Sequence, residues 1–495
     1  IRKSTAFEPQ DDAEVNMGGW RICSPETVSE FSSIAYFFAR ELNRQLGVHV
    51  GVIDATWGGT PAEAWTALGG VETVAGFEKE CSMLRDAKGS DKKMNRFHSD
   101  RIAAWNAAVN GKKNNFRHSE ISANSMKTEL PGFVERDIEN FNGVFVLQRY
   151  VDIPASFAGK DLTLRLAKID DEDVTYFNGV EVGRTSGYDT PRSYTVPGKL
   201  VKAGRNLISI EVTDFEGEGG LYGAPDDLWV AGGETRIPLA GEWGCSVVAD
   251  FRECAPRPVS PGSSSFPTVL FNAMIHPLKD FPVKGVIWYQ GCANVGRAEQ
   301  YAPLFTNLVK TWRETRRQPD MPFYFMQLAG FLAPKTIQPD SEWAALREAQ
   351  TAACGLPGVK MATAIDIGNP DDIHPKNKQE AARRFALIAL NDAYGFKDVT
   401  AYAPVLKSCT MNNGETLLEF DSPVTVDGVA PAGFIACVSS GGWERPEIRM
   451  EGMGKVYLRA SSPIKEIRYN WADCPDGNLR GFTGLPVAPF KTVVK

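Results

Sequence analysis

The chain is short of histidine, with five in 495 residues, and it has no Cys-x-x-Cys pair and no histidine at zinc-finger spacing. The common structural zinc motifs are therefore excluded. It also lacks any continuous apolar run of about 18 residues, so no segment reads as a membrane-spanning helix. Long basic tracts are missing too, and the formal net charge is −7 with a pI near 5.5. Nucleic acid and anionic membrane surfaces are poor partners for such a chain. The first residues, Ile1-Arg2-Lys3-Ser4, show neither an initiator methionine nor the apolar core of a signal peptide. The chain reads as one whose beginning has been removed. Nine cysteines, an odd number, leave at least one thiol unpaired. Cys354 and Cys437 lie in apolar runs and read as buried thiols rather than bridges.

The length allows roughly two to four domains. With 43% hydrophobic and 23% charged residues, the composition is that of a folded globular chain. Residues 5 to 23 are polar and read as loop. Ser24-Pro25 looks like a helix start, and Phe31, Ile34, Ala35, Phe38 and Leu42 recur at helical spacing up to a glycine stop at Gly47. Val48 to Ile53 reads as a short buried strand ending in Asp54-Ala55-Thr56-Trp57-Gly58-Gly59-Thr60-Pro61. Residues 68 to 118 are charged and partly helical, with Trp105 as their main anchor.

From about residue 120 the helical period disappears. Val144 to Val151, Leu162 to Leu166, Asp173 to Phe177 and Leu207 to Val212 are short β-prone runs separated by turn signals such as Asn178-Gly179. Together they imply an antiparallel sandwich inserted into an α/β chain. After the Pro- and Ser-rich stretch 256–265 the α/β texture returns. Leu270 to Ile275 read as a short helix and Val283 to Tyr289 as a strand. Tyr301, Leu304, Phe305, Leu308, Val309 and Trp312 then share one helix face. Strand 323–328, helix 342–353, strand 359–365 and helix 375–394 follow, the pattern of a parallel sheet with helices on both faces. Beyond about 398, strand candidates 416–420, 434–438, 455–458 and 467–471 suggest an all-β module for packing or substrate shaping.

Ligands of open parallel sheets bind at the carboxyl ends of the strands. Three stretches fall there: Trp57-Gly58-Gly59, Gln290-Gly291-Cys292-Ala293-Asn294, and Asp371-Asp372-Ile373-His374-Pro375. Glycine lets a backbone N–H approach a ligand, asparagine adds a donor for a developing oxyanion, and a histidine held by a carboxylate moves a proton. The chemistry implied is hydrolysis, which needs no metal or organic cofactor. Asp366 competes with Asp371 as the carboxylate. Cys292 invites a thiol-nucleophile reading, which the scarcity of histidine and the oxyanion role of its own loop argue against.

This set of parts resembles the SGNH hydrolases, and within them the sialate O-acetylesterases. The resemblance rests on Trp57-Gly58-Gly59-Thr60-Pro61-Ala62-Glu63-Ala64-Trp65, Trp288 to Asn294, Leu346-Arg347-Glu348-Ala349-Gln350 and Asp372-Ile373-His374-Pro375, in that order. The segments Tyr469 to Asp473 and Gly484-Leu485-Pro486 are similar to the family's end. It implies a flavodoxin-like SGNH parallel sheet over residues 1–118 and 256–397, a jelly-roll-like inserted β-sandwich over 119–255, and a C-terminal β module over 398–495. It also implies His374 as general base, Asp371 as its orienting carboxylate, and Gly58, Gly59 and Asn294 as oxyanion donors. Gln290, Trp57 and Arg347 would contact substrate, with Arg297 and Arg313 as further candidates for a substrate carboxylate. The expected substrate is an O-acetylated sugar, foremost sialic acid, in a periplasmic or extracellular setting. Acetylated xylan, or noncatalytic carbohydrate binding, are the alternatives.

Two departures stand out. Cys292 and Ala293 occupy positions where the family commonly has Glu and Ser. The Gly-Gln-Ser-Asn turn that carries the family's nucleophile occurs nowhere in the chain. The expectation is a serine in a segment preceding Ile1.

Overall fold

The computed structural model describes residues 1–11, 19–113, 116–134, 138, 141–215, 217, 219–412 and 414–494. Part of the loop expected over 5–23 thus lies outside the described residues. The chain divides into two compact units, one made of Ile1–Asn95 with Val259–Lys495 and the other of Arg96–Pro258.

In the first unit the longer helices that flank the sheet are α1 (Ser33–Leu46), α2 (Ala298–Arg316), α3 (Glu342–Thr351) and α4 (Lys378–Asp392). Strands β1 (Val286–Trp288), β2 (Phe323–Gln327) and β3 (Val359–Thr363) pair in parallel, in that order. Every residue of β2 is buried, because the strand is covered on both faces. Phe323 and Phe325 turn toward α2, where the Phe305 ring lies 6.2 and 5.1 Å away. Tyr324 and Met326 turn the other way, into a cluster with Phe385 and Ile388 of α4 and Leu42 of α1. Burial on both faces turns the usual in–out alternation of a strand into one continuous apolar run. Each large side chain so buried contributes about 1.5–3 kcal/mol. The apolar stripe of α2 is as read: Tyr301, Leu304, Phe305, Leu308 and Val309 are fully buried.

Four expectations are corrected. The first helix does not run on from Pro25. A four-residue turn, Pro25–Val28, closes on Ser24 and Thr27, and α1 starts afresh at Ser33, where the Ser32 hydroxyl accepts the Ala35 N–H. Its stop is as expected, with Gly47 left-handed at φ 67°. Val48 to Ile53 has no regular secondary structure and joins no sheet among the described residues, and Val48 is 52% exposed. A β-prone run becomes a strand only beside a partner, which local pattern cannot supply. Strand β1 is also shorter than the run 283–289, since Pro282 to Gly285 stay irregular. All nine cysteines are free, yet Cys354 is exposed and Cys437 half-buried, against the reading of both as buried thiols.

The second unit is a sandwich of two antiparallel sheets. One has the order Met126–Leu130, Gly241–Asp250, Gly143–Ile153, Gly204–Asp214, Glu172–Phe177, Val180–Ser186; the other is built around Leu162–Asp170. Phe145, Ile208 and Ile210 of the first sheet and Leu164, Leu166 and Val230 of the second fill one core. Trp105 packs against Phe251 at 5.0 Å, and its indole N–H donates to the Ala255 carbonyl.

Residues from Leu406 onward form two four-stranded antiparallel sheets and a strand pair over a core of Leu418, Phe434, Leu458 and Ile467. Among the described residues no helix is long and apolar enough to cross a membrane.

Charge ties this β region to the parallel sheet. Asp366, just past β3, accepts from Arg384 of α4 at 2.6 and 2.9 Å and from Arg480 at 2.7 Å. Burial alone would raise the pKa of this carboxyl, but Arg384 and Arg480 outweigh it and hold it below the usual carboxylate range. Because the folded value is the lower one, the stabilisation is fully present above the unfolded pKa and is lost as pH falls through the folded one. Asp366→Ala leaves two arginines facing each other and should cost about 3 kcal/mol. Urea denaturation at neutral pH would measure it, and the gap from wild type should close toward strongly acid pH. An unchanged midpoint at neutral pH would contradict the assignment.

Candidate active site

The loops after β1 and β3 leave the carboxyl ends of parallel strands. Gly291 opens the first with φ 157°, and a Cβ there would meet Gln350 Nε2 and Leu328 at 3.1 Å. A glycine therefore lets the chain turn into the short 3-10 segment Cys292–Asn294. Asn294 is 1% exposed. Its Oδ1 accepts the Ala62 N–H at 2.9 Å and Gln290 Nε2 at 2.7 Å, while its Nδ2 donates to Glu63 Oε2 at 2.9 Å. Glu63 Oε1 in turn accepts from Arg297 at 2.8 Å. Gln290 also donates to the Thr60 carbonyl, and Tyr301 Oη donates to Gln290 Oε1.

These contacts join the Trp57–Trp65 stretch to the Gln290–Arg297 loop. Thr60 Oγ1 donates to the Trp57 carbonyl and accepts the Trp65 indole N–H, which fixes the glycine turn between them. Gly58 and Gly59 are exposed, Gly59 is left-handed at φ 76°, and a Cβ on either would meet open space. Among the described residues their N–H groups have no internal acceptor. Two backbone donors thus face solvent beside a buried, oriented asparagine.

The third loop is less tightly built. The His374 side chain is 84% exposed, and its Nδ1 lies 3.7 Å from Asp372 Oδ1, which also accepts the His374 backbone N–H at 2.9 Å. Among the described residues no contact joins the ring to Asp371 and no hydroxyl stands within hydrogen-bond distance of it. The carboxylate at the ring is Asp372, the nearer of two adjacent aspartates. Asp366, the competing candidate, is engaged by Arg384 and Arg480 as above.

Other expected site residues divide clearly. Trp57 is half-buried, with Lys3 Nζ 5.8 Å from its ring centre. Gln290 is half-buried and its amide is spent on protein partners. Arg347 is not available to substrate. It is fully buried and donates to the carbonyls of Ala329, Ala472 and Asp473. Burial lowers its pKa to about 10, with the Asp473 charge opposing. Arg313 is likewise committed to the Met321 and Pro357 carbonyls. Cys292 is a poor nucleophile, since burial pushes its thiol up to about 11. Among the described residues no group of three or more His, Cys, Asp or Glu could hold a metal ion.

Glu63 was quoted in a motif without a role. The signal was a carboxylate inside the run Ala62-Glu63-Ala64-Trp65, where nothing but apolar side chains surrounds it in sequence.

Comparison with known proteins finds similarity to carbohydrate esterases over part of the chain. Residues 260–389, which hold both the Asn294 loop and the His374 turn, match a family described as carbohydrate esterase, sialic acid-specific acetylesterase. The resemblance is, in particular, to the sialate O-acetylesterases. The chain is 36% identical over 179 residues to sialate O-acetylesterase of Mus musculus, covering 32% of this chain and 33% of that protein. It is 31% identical over 251 residues to that of Rattus norvegicus, covering 46% of each. The matches thus span a third to a half of the length of these curated relatives. A carbohydrate acetylesterase from Xanthomonas citri of known structure is 25% identical, with 69% of this chain and 99% of that chain covered at a TM-score of 0.44.

If Glu63 fastens the two loops, Glu63→Ala should lower stability by about 2–3 kcal/mol, because it leaves the buried Nδ2 of Asn294 without its acceptor and takes the carboxylate from Arg297. Glu63→Gln should cost less, about 1–2 kcal/mol. Combining each with Arg297→Met should give less than additive losses in denaturant unfolding; strict additivity would show that the pair is not coupled.

Proposed function

We propose that this chain carries the acid–base and oxyanion parts of a serine esterase that removes O-acetyl groups from sugars, foremost sialic acids. The observation that carries the reading is that one segment, 260–389, matches the sialic acid-specific acetylesterase family and contains both the Asn294 loop and the His374 turn. The two lie at the carboxyl ends of the parallel strands β1 and β3. Further support comes from the open Gly58 and Gly59 amides next to the oriented Asn294. The flavodoxin-like SGNH arrangement, the four-segment division at 118, 255 and 397, and a periplasmic or extracellular location belong to the same reading.

In this mechanism a serine hydroxyl attacks the acetyl carbonyl, and His374 accepts its proton and returns it to the departing sugar hydroxyl. Asp372, or Asp371 after a small rotation of the exposed turn, orients the ring. The tetrahedral oxyanion is met by the Gly58 and Gly59 N–H groups and by the second Nδ2 hydrogen of Asn294. Water then hydrolyses the acetyl-enzyme with the same histidine as base.

Hydrolysis of a chromogenic acetyl ester by the full gene product tests the reading. His374→Ala should lower kcat/KM by about a thousandfold. A fluorophosphonate probe should label one serine, and His374→Ala should slow that labelling. Equal, negligible rates for wild type and His374→Ala would favour a noncatalytic carbohydrate-binding protein instead.

A further inference from the structure

An acidic sugar needs a cation at the site, and the arginines that sequence offers are all engaged. Arg297 holds Glu63, Arg313 holds two carbonyls, and Arg347 is sealed in the interior. Lys378 is different. It is the first residue of α4, at the end of a helix where the aligned peptide dipoles disfavour a cation. It is half-buried, and its Nζ stands 5.7 Å from the centre of the Tyr289 ring, directly past the end of β1. His374 lies four residues before it and the Gln290–Asn294 loop starts beside that ring. Among the described residues no carboxylate is within ion-pair distance of Nζ. Burial lowers the pKa of Lys378, while the nearby charge of Asp372 opposes that shift. A cation that is partly desolvated, set against a helix dipole and not ion-paired with any carboxylate among the described residues is a costly feature with no evident structural return.

The geometry points to Lys378 as the specificity-determining residue that receives the carboxylate of an acidic O-acetylated sugar, between the Gln290–Asn294 loop and the His374 turn. A single ammonium over an aromatic ring suits one carboxylate attached to a sugar face. A doubly charged phosphate fits less well, because the negative charge of Asp372 is nearby. This inference rests on the esterase reading and extends it by naming the residue that selects the acid.

The test compares wild type, Lys378→Met and the charge-matched control Lys376→Met, whose parent side chain is exposed. Hydrolysis of an O-acetylated sialic acid is measured beside that of its carboxylate methyl ester and of 4-nitrophenyl acetate. Lys378→Met should raise KM for the acid about tenfold while leaving kcat and both neutral esters within about twofold. Lys376→Met should match wild type. Equal losses on acidic and neutral substrates, or the same effect from Lys376→Met, would overturn the assignment. If wild type hydrolyses none of the three, the esterase reading fails and binding decides Lys378 separately. Titration of wild type with unacetylated sialic acid and its methyl ester, followed by NMR, should then show a preference for the acid that Lys378→Met abolishes. No preference in wild type, or one that survives in Lys378→Met, would overturn it.

Discussion

A carboxylate taken out of water costs several kcal/mol unless charges and hydrogen bonds replace the lost solvent, and the candidate site is arranged around one. Glu63 is 5% exposed. One of its oxygens receives Asn294, the other receives Arg297, and its own backbone carbonyl accepts the Thr268 N–H. Three stretches far apart in sequence therefore meet at one residue. The direction of the Asn294 amide follows from this. With Oδ1 filled by Ala62 and Gln290, and one Nδ2 hydrogen fixed on Glu63, rotating the amide would break three hydrogen bonds at once. A group meant to stabilise a developing charge benefits from such restraint, since no reorganisation is then required during reaction. Arg297 has a second consequence. It offsets the negative charge of Glu63, which would otherwise oppose an oxyanion nearby.

The C-terminal β region acts on the other side of the site in the same manner. Asp473 receives Ser341 and Gln338, Arg347 caps the carbonyls of Ala472 and Asp473, and Arg480 reaches Asp366 behind β3. These contacts fix the segment 329–341, which follows β2, and the start of the segment that carries His374. The family motif Leu346 to Gln350 is thereby explained by packing rather than by substrate. Gln350 supports the Gln290 and Leu328 backbone, and Arg347 supports the β region. An arginine in a motif is equally consistent with binding an external carboxylate or internal carbonyls, and only burial separates the two.

Much of the fold was legible because it depends on local periodicity. The five fully buried residues at helical spacing in α2 and the continuous apolar run of β2 were readable, since the 3.6-residue and two-residue periods record which faces are covered. What could not be read was pairing. Val48 to Ile53 has the composition of a strand and no neighbour among the described residues, and Pro25 has the features of a helix start that Ser32 later replaces. The site showed the same division. Residue types and loop positions were evident for Gly58, Gly59, Asn294 and His374, but the orientation of Asn294 depends on Ala62 and Glu63, far away in sequence. Arg347 was read as a substrate contact and Glu63 was given no role, because sequence spacing carries no information on which charged group is buried.

The His374 turn illustrates how small that missing information can be. Two adjacent aspartates precede the histidine, and family resemblance favours the one three residues before it. In the folded turn, Asp372 accepts the His374 backbone N–H, an Asx-type contact that its short side chain makes two residues ahead. That contact also brings its Oδ1 within 3.7 Å of the ring. Asp371 meanwhile is exposed, with its own N–H bound to Asn369. The turn therefore holds Asp372 against the ring and leaves Asp371 in solvent. An imidazole that is 84% exposed has not yet been given the environment that would fix its tautomer. Binding of a substrate over the open glycine amides would exclude water from this turn and strengthen whichever aspartate then faces the ring. Which carboxylate meets the ring is set here by the Asx contact of Asp372, which spacing in the motif does not reveal.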